Sequence, residues 1–448
     1  MRKKMVLIGC GSAVFTQGLV SDLISTPAGH KWHLALCDID QEVLTAIEKL
    51  AKKMIALSKA DIEISASANR TDLLPGADYV VCTIAVGKRE GWEQDVLIPR
   101  KYGINQPVGD TAMAGGISRG MRMVPAMLAI LRDCEKICPK AHVFNYANPM
   151  AISCRALAKA STMPMTGLCH GTPDTIRYMA RTAGAPEKEV TARGVGINHL
   201  TFIYKLMHKG RDLMPQLREA LKSYDLSKFD KNTIDPVMDG RSGEVLGEPF
   251  SWAFFQEYGA YPAPGDRHVT EFFTERFPGG KYYGKTLGID AYSFEGTIKN
   301  GDRRHNYSME IANDPAPLPE DFLERIGGEH EQLMDIIDSI EHDKCEIYYA
   351  NIPNRGAVPN LPYDTVIELP CVATAQGLRP MQILDFPNVL ASIVQKNLSI
   401  IEVAADAALQ GSVQLFEEAV HMGGYLQDPA AVKAMVAELM EAHKEHLH

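Results

Sequence analysis

Residues 1–15 read MRKKMVLIGCGSAVF, and residues 32–40 read WHLALCDID. In the first stretch a short aliphatic run meets Gly9-Cys10-Gly11-Ser12, after which apolar residues recur at Phe15, Leu19 and Leu23. This predicts a buried strand, a glycine turn and a helix over 12–25 with one apolar face. Glycines at such a turn let the backbone approach a pyrophosphate, whose charge is favoured at a helix N-terminus. Val14 stands where the dinucleotide fingerprint carries its third glycine, so a tight turn with a helix cap accounts for the glycines alone. Asp38 adds the missing chemistry. A carboxylate ending the second strand can hold both ribose hydroxyls and repels a 2′-phosphate. Strand, glycines, helix and acid together point to NAD+, with Gly9, Gly11, Ser12, Asp38 and Asp40 as its contacts.

Outward from this unit the pattern repeats. Strand-like runs at 32–37, 62–66, 79–84 and 143–146 alternate with helical stretches such as 41–57. Alternation of this kind builds a parallel sheet by βαβ units, which binds ligands at the strand carboxyl ends. The fold class is therefore α/β. An N-terminal Rossmann-like doubly wound domain (1–195) is expected to pack on a C-terminal α/β or α+β domain (196–448). In the second half, runs at 200–207, 292–298, 346–352 and 365–369 read as strands. Stretches from about 320 to 340, 389–408 and 430–444 read as helices. The glycine-rich segment 106–120 reads as a loop at the site mouth, too rich in glycine for a buried helix.

Composition narrows the function class. The 448 residues are 46% hydrophobic and 23% charged, ordinary for a globular chain, with a net charge of −10. A basic nucleic-acid surface is not favoured. No run of eighteen apolar residues suggests a membrane span, and the N-terminus reads as a strand rather than a leader. Nine scattered cysteines without a CxxC pair suggest a reducing cytoplasm, not disulfides or a zinc ribbon.

Four further segments carry chemistry. Cys169 and His199, in Gly167-Leu168-Cys169-His170-Gly171 and Gly196-Ile197-Asn198-His199, are competent ligands for a divalent transition metal. Their spacing alone equally suits a buried thiol and a hydrogen-bonded imidazole. Asn148, before Pro149, can donate and accept toward a sugar hydroxyl, or simply shape a turn. Asp110 and Arg119, on the glycine-rich segment, can touch substrate or pair with each other. In Gly265-Asp266-Arg267-His268, Asp266 can act as a base while Arg267 and His268 bind an anion, although a solvated turn explains the segment equally well.

Taken in order, these segments resemble the family 4 glycoside hydrolases, the NAD- and Mn-dependent glycosidases, over nearly the whole chain. The resemblance rests on Gly9-x-Gly11-Ser12, Asp38-Ile39-Asp40, Gly109-Asp110-Thr111, Asn145-Tyr146-x-Asn148-Pro149, Cys169-His170, Gly196-Ile197-Asn198-His199 and Asn351-x-x-Asn354-x-Gly356. Lactate and malate dehydrogenases look like distant relatives of the first domain. The resemblance implies NAD+ and Mn2+ (or another divalent metal) as cofactors, with Cys169 and His199 as metal ligands. It implies α-glycoside cleavage by C3 oxidation, C2 deprotonation, elimination of the aglycone, water addition and re-reduction, an exception to the two-carboxylate scheme. Asp266 is the expected C2 base, with Tyr261 the alternative. Asn148, Asp110, Arg119, His170, Arg267 and His268 are expected to contact substrate.

Members acting on 6-phosphorylated sugars typically carry Asn or Asp after the metal cysteine, where this chain has His170. The stretch from Gly265 to Phe272 looks like that of α-galacturonidase-type members, and Arg267 could pair with a C5 carboxylate. An α-uronide, galacturonide over glucuronide, is the expected substrate. A neutral α-galactoside or α-glucoside, or a simple NAD-dependent dehydrogenase, stays open. A cytoplasmic homodimer or homotetramer with a small-molecule partner is implied, without nucleic acid or membrane.

Overall fold

A computed structural model describes residues 2–25, 28–222, 247–326 and 332–447. Six strands pair in parallel in the order Ile62–Ser67, Lys31–Cys37, Arg2–Ile8, Tyr79–Cys82, His142–Asn145 and Met165–Gly167. Counted along the chain this is 3-2-1-4-5-6, the order of dinucleotide-binding sheets. The strands are hydrophobic on both faces for a visible reason. Met5, Leu7, Leu34 and Leu36 enter one apolar core, while Val6, Ile8, Ala35 and Val80 enter another on the opposite face. Helices cover both sides, as parallel sheets require.

The sheet continues past its sixth strand. Asn351 pairs with Gly167, and the strands Glu346–Pro353, Val366–Thr374, Val190–Ile197, Leu200–His208 and Tyr261–Ala263 follow in antiparallel register. With two further short strands this makes, among the described residues, one sheet of thirteen strands running through both halves of the protein. The strand Val190–Ile197 contains the 195/196 division drawn from sequence. The helix Asn388–Gln410 packs on the helices Met113–Ile137 and Met150–Ala160, locking the C-terminal half onto the first.

Three expectations need correction. The segment 106–120 is a loop only as far as Ala112. A helix runs from Met113 to Ile137 with Gly115, Gly116 and Gly120 buried in it. The glycines serve close approach: a Cβ at 115 would lie 2.6 Å from the Asp95 and Gly109 carbonyl oxygens, and one at 116 would lie 2.5 Å from Thr111. The run 292–298 is not a strand. Ser293 caps a helix, Phe294–Asn313, by accepting the Gly296 N–H. The single helix expected near 320–340 is observed as Phe322–Ile326 and Leu333–Glu341, with 327–331 outside the described residues.

A buried cluster around Asp95 ties the end of the C-terminal helix, through His443, to the first half. Arg122 meets Asp95 in a two-pronged contact of 2.9 and 2.5 Å, both side chains fully buried. Ser118 and His443 complete the carboxylate's partners at 2.8 and 2.9 Å. Arg122 sits one turn from Arg119, so the pair also fixes the helix that faces the site.

Candidate active site

Two strand ends and one hairpin converge. Cys169 follows Met165–Gly167, and Asn148 follows His142–Asn145, both at carboxyl ends. His199 is set by a tight hairpin, in which Ile197 pairs with Leu200 and only Asn198 and His199 turn the chain. A Cβ at Gly196 would lie 2.0 Å from the Leu200 carbonyl oxygen, so the hairpin closes only with glycine there. His199 itself has φ of 128°, a conformation that side chains rarely adopt. Strain held by its surroundings is a recurrent mark of functional sites.

Two more groups arrive from distant segments. His268 lies on the helical turn Asp266–Val269, its ring centroid 4.3 Å from that of His199. Asp110 comes from the loop before Met113–Ile137. Asp110, His199 and His268 present ligand atoms that all lie within 4.8 Å of one another. Cys169 Sγ is 3.5 Å from His199 Nε2. The Thr111 hydroxyl contacts His199 Nδ1 at 2.8 Å and donates to Asp110 Oδ1 at 2.8 Å, while Asn148 Nδ2 donates to Asp110 Oδ2 at 3.0 Å. Burial pushes the His199 pKa down to about 4 and that of His268 well below its ordinary value. Burial thus favours the neutral form of both rings, the form that coordinates a metal. A thiol, two imidazoles and a carboxylate fit a divalent transition cation. His268 and Asp110, expected from sequence to contact substrate, are grouped by the geometry with Cys169 and His199.

The other expected residues separate into those at this cluster and those away from it. Arg119 Nε donates to the Asn148 carbonyl at 3.1 Å. His170 precedes the helix Gly171–Thr182 and lies near enough to His199 and His268 to disfavour their charged forms. Arg267 Nη2 donates to Thr297 Oγ1 at 2.9 Å, and its buried Nε has no hydrogen-bond partner among the described residues.

Asp266 and Tyr261 do not fit the role of base. The Asp266 carboxylate is fully buried and accepts from Phe250 N, Ser251 N, Ser251 Oγ and Tyr282 Oη at 2.5–2.7 Å. Four donors fill a carboxylate's acceptor capacity. Asp266 thereby holds the start of the helix Pro249–Tyr258 against its own segment, and burial raises its pKa. Tyr261 is fully buried among Tyr178 and Trp252 in an aromatic core.

At the carboxyl end of the first strand, on the same edge of the parallel sheet, the glycine turn has the geometry a dinucleotide needs. Gly9 has φ of 92°, and a Cβ there would lie 2.7 Å from Ile84 N. Asp38 Oδ2 accepts the Gly11 N–H at 2.7 Å, so the acid and the turn are one unit. Ser12 is exposed beside the start of the helix Ala13–Ser25. Asp40 is occupied differently. It caps the helix Gln41–Ser58 through Val43 N and pairs with Lys88 at 2.6 Å.

Family models now bear on this geometry. The model described as Family 4 glycosyl hydrolase matches residues 4–184, and that of the Family 4 glycosyl hydrolase C-terminal domain matches residues 194–423. The chain belongs to glycosyl hydrolase family 4. This family 4 glycosidase is 27% identical to an alpha-galactosidase of Rhizobium meliloti (strain 1021), over 99% of this chain and 89% of the relative. It is 28% identical to an alpha-galacturonidase of Bacillus subtilis (strain 168), over 95% and 93%. Its fold is similar to that of a 6-phospho-alpha-glucosidase from gut microorganisms solved in complex with NAD and Mn2+, with a TM-score of 0.84 at 17% identity, covering 100% of this chain and 99% of that one. The sequence does not single out Thr111: it lies inside Gly109-Asp110-Thr111, but nothing in one dimension shows it reaching a ring 88 positions away.

Proposed function

We propose that this family 4 glycosidase hydrolyses α-linked uronides, galacturonide over glucuronide, with NAD+ on the Gly9–Ser12 turn and a divalent cation, Mn2+ by preference, at the cluster. The observation that carries the uronide reading is Arg267. Its guanidinium stands beside His268 with a buried N–H that no described group accepts. An unmet buried donor is costly, and a carboxylate is the natural partner of a guanidinium. A sugar carrying its carboxylate at C5 satisfies that need.

When bound, NAD+ and the cation would supply reversible oxidation at C3 and polarisation of the oxidised carbonyl, so that the C2 proton becomes acidic. The chain's own part is binding and proton handling. Cys169, His199, His268 and Asp110 hold the cation. Asn148 orients Asp110 and offers its amide oxygen to a sugar hydroxyl, and Arg119 fixes the Asn148 backbone. With Asp266 and Tyr261 engaged in the core and Asp110 assigned to the cation, His170 is the group beside the cluster placed to carry a proton to and from the sugar. Asp38 excludes a 2′-phosphate by its charge.

Aryl α-glycosides of galacturonic acid, glucuronic acid, galactose and glucose, each assayed with and without NAD+ and Mn2+, test this reading. Galacturonide cleavage that needs both additions is expected, with no net NADH. Replacing Arg267 by Met should raise KM for the uronide by about tenfold or more, the order of a lost charged hydrogen bond, with little change for any neutral glycoside turned over. Preferred cleavage of the neutral galactoside, unaltered by the substitution, would overturn the uronide assignment. Net NADH formation from an uncleaved substrate would favour a dehydrogenase.

A further inference from the structure

His268 and Asp110 reach the cluster on segments that are far apart in sequence, and something must set their spacing. The loop 106–112 is anchored to neighbouring helices by three hydrogen bonds. Gln106 bridges the Asp95 carbonyl and the Gly115 N–H, and Trp92 Nε1 donates to the Val108 carbonyl at 2.7 Å. On its other side the loop meets Glu271. Glu271 Oε1 accepts the backbone N–H groups of Val108 at 2.7 Å and Gly109 at 2.8 Å. Glu271 follows His268 by three positions on consecutive helical turns, Asp266–Val269 and Thr270–Phe272, so both side chains share a face. Thr270 Oγ1 returns to the Asp266 carbonyl at 2.7 Å and holds those turns together.

We propose that Glu271 is a positioning residue that sets the distance between Asp110 and His268, and hence the affinity of the cluster for its cation. Glu271 is 3% exposed, so the two short hydrogen bonds to its carboxyl oxygen are shielded from competing water. Gly109 has φ of 61°, and a Cβ there would lie 2.7 Å from Val96 Cγ2. The loop is thus closely packed where the carboxylate grips it, and Asp110 and Thr111 follow directly. Thr111 in turn contacts His199 Nδ1. One acceptor therefore links three of the groups around the cation, although it is not itself a ligand. Partners of this kind are worth about 10–100-fold in metal affinity.

The inference rests on the cation site proposed above, and the test separates the two. Mn2+ titration of the metal-free full-length protein, followed by the electron paramagnetic resonance of free Mn2+, is run on wild type, Cys169→Ser, Glu271→Leu and Glu271→Gln. Glu271→Leu keeps the volume but offers no acceptor, and should weaken Mn2+ binding by about tenfold or more. Glu271→Gln keeps an amide oxygen for the same two N–H groups and should stay within about threefold of wild type. NAD+ affinity, read by fluorescence, should be unchanged in both. Wild-type Mn2+ affinity in a cooperatively melting Glu271→Leu protein overturns the proposal. So does a parallel loss of Mn2+ and NAD+ binding, which would mark general disruption. If the Leu variant does not fold, Glu271→Asp, one methylene short of the loop, should bind Mn2+ more weakly than Glu271→Gln, and equal affinities refute the role. Absence of binding by wild type, or wild-type binding by Cys169→Ser, refutes the cation site itself and the proposal with it.

Discussion

The Thr111 hydroxyl lies 2.8 Å from Nδ1 of His199, which leaves Nε2 of the same ring facing the Cys169 sulfur at 3.5 Å. A second partner on the far nitrogen fixes both the tautomer and the plane of a ligating histidine. Thr111→Val keeps the shape and removes the hydroxyl. Mn2+ affinity should fall by about tenfold or more while NAD+ binding holds. Equal Mn2+ affinities in the two proteins would show that the ring is oriented by packing alone.

Asp38 joins the glycine turn through the Gly11 N–H at 2.7 Å. In Asp38→Ala the turn loses its acceptor and the cofactor loses its ribose partner. NAD+ should bind about tenfold more weakly or worse, and the preference for NAD+ over NADP+ should shrink. Fluorescence titrations with both nucleotides measure this. An unaltered preference would remove Asp38 from the cofactor reading.

Arg122 and Asp95 are both inaccessible to solvent. Arg122→Leu would leave the carboxylate buried with Ser118 and His443 as its remaining partners. The expected loss is about 3–5 kcal/mol of stability, seen as a lower urea midpoint. A loss under about 1 kcal/mol would show that Ser118 and His443 satisfy the carboxylate without the guanidinium.

Glu135 accepts from the Ser161 hydroxyl, from Met163 N and from Thr162 N, and these bonds hold its pKa down to about 2 against an ordinary 4.5. A carboxylate depressed in the folded state contributes stability that is present above the unfolded value and is lost as pH falls toward the folded one. The wild type should therefore exceed Glu135→Gln in stability at neutral pH, and the gap should begin to close below 4.5 and narrow toward about 2. Urea unfolding of both proteins at about pH 6 and pH 3.5 reads the two gaps. A gap that widens on acidification would contradict the assignment.

The strand runs, the Gly9–Ser12 turn and Asp38 were legible in the sequence because parallel strands buried on both faces write themselves as short apolar runs, and a tight phosphate-type turn admits little besides glycine. Cys169 and His199 were legible as a pair only through the order of motifs around them. The helix beginning at Met113 was not. Its glycines answer to Asp95, Gly109 and Thr111, which crowd them in space. Asp266 looked like a base because its carboxylate is chemically able, yet Phe250, Ser251 and Tyr282 claim it. His268 joined Asp110 and His199, and Glu271 came to grip the Asp110 loop, for the same reason. Local pattern records what each residue can do over one turn or one strand. Which hydrogen bonds it makes depends on chain segments tens to hundreds of residues away, and only the assembled sheet brings those together.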